Sequence, residues 1–203
     1  MNIDFLKNTQ DGKCVVMGCG PSVLNLQPYL GQCFTIGVND IGDFCDPDML
    51  VILDEPRAFT PTRLETIIHT RPTMLASQVL YWDTHITAPH DFFHLDLGSR
   101  GVGKFDDDIS RNKIPIANTS TYVGVVLAYY MGFRKIGMIG VDFTKDHYNN
   151  ADGVHKLNSR IKDVNDSYIN IYNKLKEKGV EFWNLSKESI IDVPKMDLKE
   201  FFK

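Results

Sequence analysis

Lys13-Cys-Val-Val-Met-Gly-Cys-Gly-Pro-Ser22 is the stretch that decides the fold. Cys14 to Met17 are apolar without alternation, as in a strand covered on both faces, and the run stops at Gly18-Cys19-Gly20-Pro21-Ser22. Glycines at such a turn let backbone N–H groups approach an anion, so the stretch reads as the first strand of an open α/β sheet running into a phosphate-binding loop. Position 23 is Val, so the third glycine of the dinucleotide fingerprint is missing, and a plain tight turn accounts for the same residues.

Outward from this stretch, apolar runs bounded by Gly, Pro and Asp alternate with longer amphipathic segments, the pattern of βα units. Strands are expected at 34–38, 49–53, 73–76 and 135–139 and near 181–185, with helices over 61–70, 121–131 and about 164–178. The last helix gathers Val164, Tyr168, Ile171, Tyr172 and Leu175 on one face and stops at Gly179. The expected fold is α/β: one Rossmann-like domain over 1–203 with a mostly parallel sheet flanked by helices. No period holds near 81–117 or 144–158, and both segments read as a lid or insertion.

The chain has 203 residues, 43% hydrophobic and 24% charged, within the range of one globular domain. No apolar run approaches the ~20 residues of a membrane-spanning helix, and residues 1–10 lack a basic start followed by an apolar stretch, so a cytoplasmic protein is expected. The formal charge of −4 gives no global pull toward nucleic acid or anionic membranes. Cys14, Cys19, Cys33 and Cys45 form no C-x-x-C pair and are expected to be reduced.

Chemistry is expected at the carboxyl ends of the strands. Gly18, Cys19, Gly20, Pro21 and Ser22 are candidates for the phosphates of a nucleotide. Asn39 and Asp40, ending the second strand, would meet a ribose or base, or simply cap the turn. Asn118, Thr119 and Ser120 precede Thr121 at a helix start, where they would cap the helix, hold a ligand, or do both. Asp142 follows a buried strand and would either face the ligand or pair with a basic neighbour. His155, in the irregular segment beyond it, is the candidate general base, with His147 its rival. His85, His90 and His94 with Asp91 and Asp96 match no defined metal-ligand spacing, and Asp106-Asp107-Asp108 reads as a solvated loop run. No metal site is expected.

In order, Gly18-Cys-Gly-Pro-Ser22, the strand ending in Asn39, Asn118-Thr-Ser-Thr-Tyr-Val123 and Gly132-Phe-Arg-Lys-Ile-Gly-Met-Ile-Gly-Val-Asp-Phe143 resemble the bacterial sialyltransferases of the family-42 type. The resemblance implies that Gly18, Gly20, Ser22, Asn39, Thr119 and Ser120 hold a cytidine nucleotide and that His155 is the base. It implies a metal-independent transferase with a nucleotide-sugar donor and no further cofactor; the acceptor, a glycan, a lipid or a modified nucleic acid, is left open by the sequence. A homo-oligomer is left open. The same landmarks resemble a group that includes archaeal pterin pyrophosphokinases, which would imply Mg²⁺ held by carboxylates such as Asp142 and Asp54. A nucleotide-binding module without catalysis is the third reading.

Overall fold

The computed structural model describes residues 3–100, 105, 113–117, 119–143 and 158–203. The strands are β1 (Lys13–Met17), β2 (Phe34–Val38), β3 (Met49–Ile52), β4 (Met74–Ser77), β5 (Asp91–His94), β6 (Leu97–Arg100), β7 (Ile114–Ile116), β8 (Lys135–Ile139) and β9 (Glu181–Asn184). Seven of them form one sheet in the order β5-β4-β3-β2-β1-β8-β9, with every neighbouring pair parallel. β6 and β7 make a separate parallel pair. The helices are α1 (Pro61–His69), α2 (Tyr81–His85), α3 (Ser120–Met131), α4 (Ile161–Glu177) and α5 (Leu198–Phe201), and a 3-10 helix spans Pro21–Tyr29.

The sheet is the middle of three layers. Along β1, Cys14 and Val16 face the core beneath α3 and α4, while Val15 and Met17 face the core beneath the 3-10 helix, α1 and α2. β3 divides in the same way, Met49 and Val51 on one side and Leu50 and Ile52 on the other. Both faces are therefore buried, which is why these strands are apolar without alternation. Each fully buried aliphatic side chain stabilises the fold by about 1.5–3 kcal/mol over its exposed state.

α3 lies almost wholly inside. Only the N-terminal Ser120 and Tyr129 escape full burial, and Gly124 lets the helix press on β1: a Cβ there would stand 2.7 Å from Val16 Cγ1. Gly132 closes the helix in the left-handed region at φ 111°, returning its N–H toward Ala128 O and Tyr129 O.

The expected strands and helices are found within a few residues of their expected bounds. The segment 81–117 differs, because its described part carries regular structure: α2, the edge strand β5, and the pair β6 and β7. In β5 only Phe93 is fully buried while Asp91 and His94 are exposed, so the strand leaves no apolar run in the sequence. Of the second irregular segment, residues 144–157 lie outside the described residues, and Asn158 opens a short 3-10 turn before α4. Among the described residues no helix is long and apolar enough to cross a membrane.

Candidate functional site

The chain order runs outward from β1 through β2 to β5 and then returns to β8 on the other side of β1. That reversal puts a switch point at the carboxyl ends of β1 and β8, the place where open α/β sheets bind ligands. The loop Gly18–Ser22, the end of β2 and the start of α3 meet there. A Cβ on Gly18 would lie 3.2 Å from Thr121 Cγ2, and Cys19 Sγ donates to Val38 O at 3.3 Å.

The glycine loop is pinned to the exit of β8. Gly18 N–H donates to Ile139 O and Gly20 N–H to Gly140 O, both at 2.8 Å. Ser22 donates its N–H to Asp142 Oδ2 at 2.8 Å and its hydroxyl to Asp142 Oδ1 at 2.6 Å. Asp142 is 2% exposed, with both oxygens engaged by Ser22. The sequence reading leaves the glycines as a ligand cradle or a plain tight turn and Asp142 as a ligand contact or a partner of a basic neighbour; among the described residues Asp142 is bonded by Ser22, which is not basic. A Cβ on Gly20 would stand 2.6 Å from Asp142 Oδ2 and 2.8 Å from Gly140 O.

Asp40 is fully buried and pairs with Arg63 of α1, whose Nη2 lies 2.8 Å from Asp40 Oδ1. It faces inward, behind the loop, with Cys19 Sγ at 3.7 Å. Burial pushes the Cys19 thiol well above its ordinary value, and the negative charge of Asp40 adds to this, so Cys19 stays protonated. It packs beneath the loop and donates to Val38 O.

Asn39 differs from its neighbour. Its backbone is left-handed at φ 53°, which Asn tolerates better than most residues, and its N–H donates to Val51 O at 3.2 Å. Its buried Oδ1 has no hydrogen-bond partner among the described residues. Such an acceptor calls for a donor from elsewhere.

At the start of α3, Thr119 is the N-cap, its hydroxyl accepting from Tyr122 N–H at 3.2 Å. Tyr168 of α4 reaches the same place, 2.9 Å from Thr119 Oγ1 and 2.8 Å from Thr121 Oγ1. Burial raises the Tyr168 phenol to about 12, against the two hydroxyls that lower it, so it remains a donor. Ser120, half-buried, sits one residue on at the helix start. Asn118, His147, His155 and Asp106 to Asp108 lie outside the described residues. His85 stacks on Tyr81 with ring centroids 3.6 Å apart, and His90 Nδ1 bonds Ala88 O at 2.7 Å. Among the described residues no group of three or more His, Cys, Asp or Glu side chains could hold a metal ion.

The turn after β9 contributes a brace that the sequence reading misses. Ser186, fully buried, places Oγ 2.6 Å from Ser22 Oγ and accepts from Gly140 N–H at 3.1 Å. Ser189 Oγ donates to Val141 O at 2.7 Å. The only sequence signal for this turn is that small polar residues follow a strand at the carboxyl edge; Arg63, on a helix face, gives none.

These features define a Rossmann-like α/β protein whose candidate ligand edge lies at the β1–β8 switch point. Neither a protein-family model nor a curated protein matches the chain. Among solved structures the fold is similar to the MAf glycosyltransferase from Magnetospirillum magneticum AMB-1, with a TM-score of 0.56 at 13% identity, covering 96% of this chain and 37% of that one. It is also similar to a variant of the Campylobacter jejuni sialyltransferase CST-II in complex with CMP, with a TM-score of 0.53 at 12% identity over 91% of this chain and 86% of that one. A second CstII variant, described as an alpha-2,3/8-sialyltransferase, gives 0.51 at 14% identity over the same shares. The chain thus has the α/β fold that these glycosyltransferases share.

Proposed function

We propose that the protein is a glycosyltransferase, sialyltransferase-like and metal-independent, that moves a sugar from a nucleotide-activated donor to an acceptor hydroxyl. The observation that carries this reading is Asn39 beside the glycine loop, its buried Oδ1 without a hydrogen-bond partner among the described residues, at the carboxyl edge of a fold shared with CMP-bound CST-II. A nucleoside supplies what that oxygen lacks, a donor from an exocyclic amine or a ribose hydroxyl.

In this reading the pinned loop Gly18–Ser22 is a rigid floor for the nucleotide, and the Ser120 hydroxyl and first amides of α3 stabilise the leaving phosphate. Preorganised donors of this kind usually supply the largest catalytic effect. The bond from the sugar's anomeric carbon to the donor phosphate breaks, and a bond to the acceptor oxygen forms. The acceptor's proton passes to His155, a step worth roughly 10²–10⁴-fold in rate. The acceptor is a glycan, a lipid or a modified nucleic acid.

A thermal-shift panel of nucleotides and nucleotide sugars, run in EDTA and again in Mg²⁺, tests the reading. A ligand at 100 times its Kd stabilises the fold by about 2.7 kcal/mol. A cytidine nucleotide or its sugar conjugate is expected to do so in EDTA, and Asn39→Ala to abolish the shift. Stabilisation by ATP only in the presence of Mg²⁺ would overturn the reading in favour of phosphoryl transfer.

A further inference from the structure

In an open α/β sheet the loop after the first strand, with the positive end of the helix that follows, ordinarily offers backbone amides to a phosphate. Here an internal carboxylate stands in that position. Ser22, second residue of the 3-10 helix Pro21–Tyr29, gives both its N–H and its hydroxyl to Asp142, at 2.8 and 2.6 Å. The amides of Gly18 and Gly20 are spent on Ile139 O and Gly140 O. Gly20 is bare on the side facing the carboxylate, where a Cβ would come within 2.6 Å of Oδ2. Ser186 Oγ lies 2.6 Å from Ser22 Oγ and accepts from Gly140 N–H, so the Ser22 hydroxyl is engaged by the chain as well. A phosphate oxygen could reach the Ser22 amide only by displacing Asp142, against the repulsion of like charges.

We propose that Asp142 is a specificity-determining residue, a built-in anion that fills the phosphate position after β1 and bars free phosphate and the pyrophosphate of a dinucleotide from it. The donor's phosphate is thereby confined to the α3 side of the loop. That consequence rests on the glycosyltransferase reading; the exclusion does not.

The test is calorimetric titration of inorganic phosphate, and separately of NADH, into the wild type, Asp142→Ser and Asp142→Asn, with folding checked by circular dichroism. Asp142→Ser opens the position while keeping a hydroxyl acceptor for Ser22, and phosphate affinity should rise about tenfold, as expected for an anion at a helix start. Asp142→Asn keeps the shape and removes the charge, and should give a smaller rise of a few-fold; where the serine variant does not fold, the asparagine variant decides between the outcomes. Phosphate affinity in Asp142→Asn equal to that of the wild type would overturn the proposal, as would NADH binding to the wild type in competition with phosphate. CMP titrated into the wild type in the same series judges the donor reading by itself: failure of CMP to bind counts against that reading, and the phosphate series still decides the role of Asp142.

Discussion

Gly20→Ala separates two reasons for a glycine in the first loop. The backbone at Gly20, φ −76° and ψ 156°, is open to alanine, so the cost is not conformational. It lies in what the new Cβ would meet, Asp142 Oδ2 at 2.6 Å and Gly140 O at 2.8 Å. Neither can yield easily, because Asp142 is held by two bonds from Ser22 and Gly140 accepts from Gly20 itself. Overpacking of this kind costs about 1–3 kcal/mol, and loosening one hydrogen bond to Asp142 adds about 1 kcal/mol, for a total near 2–4 kcal/mol. In a chain of this size that lowers Tm by roughly 5–15 °C. Urea unfolding followed by circular dichroism, with differential scanning calorimetry, measures both. Gly98→Ala is the control, since among the described residues its Cβ meets nothing closer than Ile114 O at 3.5 Å and should change stability by less than about 0.5 kcal/mol. A Gly20→Ala protein as stable as the wild type but impaired in nucleotide binding would show this account to be wrong: the glycine would then make room for the ligand rather than for Asp142.

Arg63→Met removes the guanidinium 2.8 Å from the fully buried Asp40 and should cost about 3–5 kcal/mol in urea unfolding, with Asp40→Asn in the same chain returning part of it; a loss under ~1 kcal/mol would show that the pair is not what secures Asp40. The thiols should resist modification in the native protein. Burial raises Cys14 and Cys19 well above the ordinary value, Cys33 to about 11 and Cys45 to about 12, so at pH 8 a disulfide reagent should reach the buried Cys14 only after unfolding and react with the half-buried Cys19, Cys33 and Cys45 more slowly than with free cysteine, through their small thiolate fraction. The same shifts set a sign for stability. Above the ordinary thiol value of 9.0 the unfolded chain releases protons that the folded chain still holds, so stability should fall as pH rises beyond it. A native thiol reacting at the rate of free cysteine, or stability flat from pH 8 to 10, would contradict the burial assigned to these residues.

Whether an element can be read from the sequence depends on how local its signal is. β1, β3 and β8 announce themselves because both of their faces are buried, leaving apolar runs, and α4 because its apolar face repeats at the helical period. β5 is hidden because an edge strand with exposed Asp91 and His94 has neither signature. The Thr119 cap of α3 was within reach, since a capping hydroxyl acts on an amide only three residues away.

The parallel α/β layering, the loop Gly18–Ser22 at the end of β1, and the candidate edge that carries Asn39, Ser120 and Asp142 could all be read from residue order, because strand patterning and turn chemistry are written in neighbouring residues. What those residues touch emerges only once the chain is folded. Ser22 meets Asp142 across 120 positions and Ser186 across 164, and Asp40 meets Arg63 across 23. No periodicity encodes such meetings. They arise when parallel pairing of β1 with β8 and of β8 with β9 brings three strand exits together, and buried polar groups must then find their partners in one another. The same closure gave Asp142 its partner in Ser22, a meeting that residue order left open, and left the Asn39 oxygen without a hydrogen-bond partner among the described residues.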